Sequence, residues 1–289
     1  MNNALEFDGI EKRYKGFTLH PATFDLPRGY IMGLIGPNGA GKTTLIKLAL
    51  DLVRGTGGKI RIFGQDHALD GKQIRARVAY VPDEPRFHED IKLEHLKQAT
   101  APFYPGWDEK RFASLVDAFD LPLDRKFKKL SAGMKTKFAL ALALSQGAEL
   151  LLLDEPTSGL DPAFRRDLLK LLGELMQDDR ITVLFSTHLT ADLERTADYI
   201  TFVREGHIVF SKPKDVVLDT WVLVKGGRDV LAERNDGLFD GVKVRAHGFE
   251  GLTSRANEVR RRFGDRVEIQ RASLDDLMVL MERGLDHAA

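Results

Sequence analysis

Apolar residues recur along this chain with two periods. Alternating and apolar runs at residues 5–7, 17–26 and 30–35 predict short strands, with a turn at Pro27-Arg-Gly29. Residues 43–53 switch to helical spacing, with Leu45, Leu48, Ala49 and Leu52 on one face, until Gly55-Thr-Gly-Gly58 closes the segment. Strands are predicted again at 59–63, at 77–81 (stopped by Pro82), at 149–153 and at 181–186. The run at 149–153 is wholly apolar past Glu149, as in a strand buried on both faces. Helical patterns cover 84–146, apart from loops at 102–106 and 121–129. They return at 163–177, with Leu168, Leu169, Leu172 and Leu175 inward, and at 191–196. Strands at 200–203 and 207–210 flank Glu205-Gly206.

Strands alternating with helices imply an α/β sheet covered on both faces. Residues 84–146 read as a helical subdomain inserted into it. The alternation weakens after about residue 219. Beyond it, strands at 221–225, 242–246 and 266–270 and helices at 254–263 and 274–283 predict a small C-terminal α+β appendage. The expected division is therefore 1–219 and 220–289.

Composition narrows the classes. The chain has 289 residues, 43% of them hydrophobic, enough for a large core. Lys+Arg and Asp+Glu both number 43, and zero net charge argues against a strongly basic nucleic-acid binder. With no cysteine there are no disulfides, cysteine-ligated metals or thiol nucleophiles, which fits a reducing compartment. Residues 1–3 lack a basic start followed by an apolar run, so no signal peptide is expected. The most apolar stretch, 138–153, is broken by Ser145-Gln-Gly147 and Glu149, so no single membrane-spanning helix is expected there.

The densest chemistry lies between the strand at 30–35 and the helix at 43–53. Gly36-Pro37-Asn38-Gly39-Ala40-Gly41-Lys42-Thr43 fits G-x-x-x-x-G-K-[ST], a pattern that roughly one chain in a hundred of this length carries by chance. Glycines let the backbone fold back so that amides surround phosphate oxygens, and the following helix adds its positive end. Lys42 supplies a mobile cation, and the Thr43 hydroxyl suits Mg²⁺. Asp154 and Glu155 end an apolar strand. They read either as ordinary acids capping it or as a metal carboxylate and the general base for an attacking water. Ser131 reads as the N-cap of a helix at 134–144 whose first turn Gly133 leaves bare. Ser158-Gly-Leu-Asp161 follows the acid pair. Ser186-Thr-His188 places an imidazole at the end of the next strand, near the γ-phosphate on this reading.

These pieces, in this order, resemble the ATP-binding subunits of ABC transporters over residues 5–217. The resemblance implies a P-loop NTPase sheet. Residues Gly36 to Thr44, the second threonine included, would form the Walker A loop, Asp154 the Walker B acid, Glu155 the catalytic base and His188 the switch histidine. Residues 130–134 would stand for the signature and 158–161 for the D-loop, with Ser131, Gly133 and Asp161 at the nucleotide. Tyr14 falls where the family stacks an aromatic on adenine, although alone it reads as a strand packing residue. The resemblance further implies ATP and Mg²⁺ and a head-to-tail pair of ATP-binding subunits, identical or paralogous. It implies a separate integral-membrane permease, contacted through the helical insertion from the cytoplasmic face of the cell membrane. No nucleic acid is expected. A soluble ABC-type ATPase acting on ribosomes or DNA is the alternative, and one P-loop without long heptad runs speaks against it.

Three departures stand out. The signature reads Ser-Ala-Gly-Met where the family has Ser-Gly-Gly-Gln, so the side-chain amide expected at Met134 is lost. Asp83 follows Pro82 where the family places Gln, and it reads either as a charged metal ligand or as a solvated turn acid. Ser273-Leu-Asp-Asp-Leu277 resembles an ending common in exporter-type members. The cationic runs 126–129 and 260–262 read as solvated faces.

Overall fold

The computed structural model describes residues 2–66, 71–233 and 237–283. β1 (Asn3–Tyr14) and β2 (Phe17–Pro27) form a hairpin, and β3 (Ile31–Ile35) runs through a loop into α1 (Lys42–Ala49). β4 (Gly57–Ile62), β5 (Gln65–Asp66), α2 (Gly71–Arg75) and β6 (Val78–Val81) follow. The helical insertion holds α3 (Leu93–Thr100), α4 (Glu109–Ala118) and α5 (Ala132–Leu144). Next come β7 (Leu150–Asp154), α6 (Pro162–Leu175), β8 (Thr182–Thr187), α7 (Thr190–Thr196), β9 (Tyr199–Arg204), β10 (His207–Pro213) and α8 (Lys214–Thr220). The tail contains β11 (Val222–Gly226), α9 (Arg228–Ala232), β12 (Gly241–Arg245), β13 (Gly248–Thr253), α10 (Ala256–Phe263), β14 (Val267–Arg271) and α11 (Leu274–Arg283).

The central sheet has the order β10-β9-β3-β8-β7-β6 and is parallel except at β10. All five residues of β3 and of β7 are buried, as expected for parallel strands covered on both faces. One face packs on α1 and the antiparallel sheet β2-β1-β4-β5 through Leu5, Phe7, Leu45, Ile46 and Ile60. The other packs on the helical insertion, α6 and α7 through Phe138, Leu168, Leu172 and Leu193. The tail forms a third sheet, β12-β13-β11-β14, and its Leu223, Leu252, Leu274, Leu277 and Leu280 join this second apolar cluster.

The α/β class agrees with the pattern; several boundaries differ for local reasons. The first strand runs to Tyr14 because Ile10 continues the buried row beyond a register shift at residues 7–10, where Gly9 takes a φ of 61°. Leu52 does not share the face of Leu45 and Leu48: α1 ends at Ala49, and Leu52 is exposed. The inserted helices begin at Leu93, not at residue 84. Residues 84–92 run as an irregular segment containing Pro85, tied to 123–128 by Phe127 N–H donating to Ile91 O and Lys128 N–H to Glu89 O. β13 escapes the sequence pattern because two of its six residues are glycines. Of the expected appendage, residues 234–236 and 284–289 lie outside the described residues.

Candidate active site

Strand order assembles the site. β8 lies between β3 and β7, so three carboxyl ends stand side by side: the glycine loop after β3, His188 after β8, and the acid pair closing β7. Ligands of open α/β sheets bind at such ends. The glycine loop and Glu155 border a cleft of about 500 Å³ lined by Gly16, Phe17, residues 38–44, Asp83 and Glu155, and His188 meets it through its contact with Glu155. Pro37, Asn38, Gly39 and Ala40 form the bend. Gly36 enters it at a φ of 152°, and a Cβ there would lie 2.1 Å from Val203 O, so the loop backbone passes β9 only because residue 36 is glycine. Gly41 precedes α1, whose first turn, with Lys42, Thr43 and Thr44, carries no acid to neutralise its positive end.

The Lys42 side chain is 6% exposed, and its ammonium donates to Gly36 O at 2.7 Å and Pro37 O at 3.2 Å. It also lies 3.4 Å from Glu155 Oε1. The other carboxylate oxygen, Oε2, accepts from His188 N–H at 3.3 Å and lies 2.8 Å from His188 Nδ1. An ionised carboxylate only accepts, so toward that form the contact requires the tautomer with its hydrogen on Nδ1. Glu155 itself takes a φ of 49°, a costly backbone state for a non-glycine residue, and its N–H donates to Ser186 O at 3.0 Å. Asp154 is buried, and its Oδ1 accepts from the Ser186 hydroxyl at 2.6 Å.

Asp83 follows β6 and borders this cleft. Burial, then the negative charges of Asp154 and Glu155, push its carboxyl above the usual range. Oxygen donors with surplus negative charge fit a small hard cation. Among the described residues no cluster of three His, Cys, Asp or Glu side chains is close enough to cage a metal.

The remaining predicted residues lie elsewhere. Tyr14 ends β1 half-exposed, with Lys12 Nζ 5.2 Å above its ring, while Phe17, across the hairpin, lines the cleft. Sequence reasoning passed over Phe17 because its place in an alternating strand signals packing. Ser131 caps α5 by accepting from Met134 N–H at 3.2 Å, and neither it nor Gly133 lines the phosphate-loop cleft. Instead the Cα of Gly133 faces the 158–161 segment, and a Cβ there would meet Leu160 Cδ2 at 3.6 Å. Asp161 caps α6, and the Phe164 N–H bond holds its carboxyl below the usual range. No helix among the described residues is long and apolar enough to cross a membrane.

Comparison with known proteins agrees with this arrangement. The family model described as ABC transporter matches residues 19–158. The lantibiotic transport ATP-binding protein SrtF of Streptococcus pyogenes is 31% identical over 215 residues, 73% of this chain and 91% of that protein. The bacitracin transport ATP-binding protein BcrA of Enterococcus faecalis is 30% identical over 212 residues, 72% of this chain and 69% of that one. A solved structure of an ATP binding subunit of an ABC transporter superposes with a TM-score of 0.71 at 28% identity, covering 96% of this chain and 98% of its own. The cbiO1 protein of Clostridium perfringens shares the fold, with a TM-score of 0.62 at 23% identity over 75% of this chain and 91% of that one. The chain belongs to the ABC transporter family, as an ATP-binding, ATP-hydrolysing subunit.

Proposed function

We propose that this chain drives a separately encoded membrane permease, from the cytoplasmic face, by hydrolysing Mg-ATP between two ATP-binding subunits. The cargo is proposed to be exported and of the antibiotic or peptide class, by analogy with relatives named for bacitracin and lantibiotic transport. Residues 220–289 are read as an accessory unit of this engine.

Lys42 Nζ and the amides at the start of α1 bind the outer phosphates. Tyr14 stacks on the adenine. Thr43 and Asp154, with Asp83 beside them, hold Mg²⁺. When bound, Mg²⁺ neutralises charge on the phosphate oxygens. Glu155 takes the proton from the attacking water at its carboxylate, and His188 orients that carboxylate through its N–H and Nδ1. Ser131 and Gly133, which do not line the phosphate-loop cleft of their own chain, serve the nucleotide of the partner subunit, with Asp161 at the same junction.

The observation that carries this reading is the position of the Glu155 carboxylate between Lys42, at 3.4 Å, and His188, at 2.8 Å. Glu155→Gln keeps the shape and removes the base. Turnover should fall on the order of 10²–10⁴-fold, with ATP binding retained and an ATP-bound dimer accumulating by size-exclusion chromatography. Turnover at the wild-type rate would refute the assignment.

A further inference from the structure

Asp192 is a buried carboxylate that none of this chemistry uses. It is 2% exposed on α7, four residues after His188. Its Oδ2 accepts from the Thr157 hydroxyl at 2.8 Å, and its Oδ1 from Arg165 Nε at 2.6 Å. Thr157 is also 2% exposed and lies two residues after Glu155; Arg165 lies in the first turns of α6. One carboxylate therefore ties together three segments: the loop leaving the acid pair, the start of α6, and the helix leaving the histidine.

Stability alone is a weak reason to bury that charge. A buried ion pair is often no more stable than apolar residues of the same size. Nor does α7 need Asp192 to seat on the sheet. The adjacent Leu193 is fully buried against β3, so close that a Cβ on Gly33 would lie 2.4 Å from Leu193 Cδ1. What Asp192 adds is registry. Glu155 and His188 stand on two different loops, and Glu155 occupies a backbone state that its surroundings must enforce. Thr157 and Arg165 also bracket residues 158–161, so the same carboxylate grips both ends of that segment.

We infer that Asp192 is a positioning residue for ATP hydrolysis, holding the Glu155 loop against the His188 helix so that carboxylate and imidazole keep one geometry. The inference rests on the reading of Glu155 and His188 as the reacting pair. Its test begins with Thr157→Val, which removes the donated hydrogen bond, keeps the shape and changes no charge. Misplacement of reacting groups by about 1 Å costs on the order of 10²-fold. Thr157→Val should therefore lower kcat roughly 10–100-fold, with KM for ATP within about twofold of wild type and Tm lower by only several °C, the cost of one buried acceptor left without its donor. Thr157→Ser should restore kcat. Asp192→Asn, which also neutralises the Arg165 pair, should lower kcat at least as far, and the double variant Thr157→Val with Asp192→Asn should be no slower than Asp192→Asn alone, because the Thr157 contact is common to both changes. Wild-type kcat in both Thr157→Val and Asp192→Asn, with Glu155→Gln inactive, would overturn this inference and leave the base assignment standing. A fall in Tm or a rise in KM at unchanged kcat would also overturn it, by reducing Asp192 to a purely structural pair. Full turnover in Glu155→Gln would instead remove the reading on which it rests.

Discussion

Replacing Gly206 with alanine should loosen the phosphate loop from a site outside it. Gly206 is the buried tip of the turn between β9 and β10, with a φ of 77°. Its N–H donates to Ala40 O at 3.0 Å, and its carbonyl accepts from His20 N–H at 2.9 Å, so one residue links the loop to β2. A Cβ there would stand 2.0 Å from Thr18 O and 3.0 Å from Thr18 C, both backbone atoms. Restoring ordinary contact at about 3.5 Å requires a retreat of roughly 1.5 Å. Neither side can yield by rotating a side chain. The left-handed backbone costs an alanine about 1–2 kcal/mol, and overpacking about 1–3 kcal/mol more. A total of about 2–5 kcal/mol is a large share of a typical stability of about 5–15 kcal/mol. The melting temperature should fall by on the order of 5–15 °C, and displacement of Ala40 should weaken ATP binding. Differential scanning calorimetry and titration with a fluorescent ATP analogue measure the two effects. A melting temperature within about 1 °C of wild type, with unchanged ATP affinity, would refute the reasoning.

Two further outcomes are expected. Arg77 Nε and Nη2 donate to the two oxygens of Glu149 at 2.6 and 2.7 Å, and these bonds hold that carboxyl below its ordinary value of 4.5. A depressed carboxyl stabilises the fold above its unfolded value and loses that contribution as pH falls through its folded one. Arg77→Met should therefore cost about 0.5–1 kcal/mol at pH 7, a figure discounted for solvent, and the gap should close in acid; urea melts at both pH values check it. Ser131→Glu should leave ATP binding by each chain intact yet reduce turnover to background. Specific activity should no longer rise with protein concentration, and a dilution series that behaves as wild type would contradict the two-subunit reading.

The sequence by itself settles whatever depends on neighbours along the chain. The 36–43 loop is legible because the bend, the cation and the hydroxyl must follow one another at fixed spacing. The wholly buried β7 announces itself as an unbroken apolar run ending in Asp154. Ser131 declares a helix start in the same local way. The tertiary structure alone decides who meets across the fold. Nothing in residues 31–35 states that β8, some 150 positions later, will insert between β3 and β7 and carry His188 to Glu155. That adjacency comes from burying both faces of the whole sheet, a condition no window of sequence contains. Asp192 was invisible for the same reason. On a helix pattern it reads as one more solvated acid, and only the convergence of Thr157 and Arg165 makes it a buried junction. Local spacing names the reacting groups, whereas long-range packing sets the distances between them, because covalent geometry reaches only a few residues and burial acts on the entire chain.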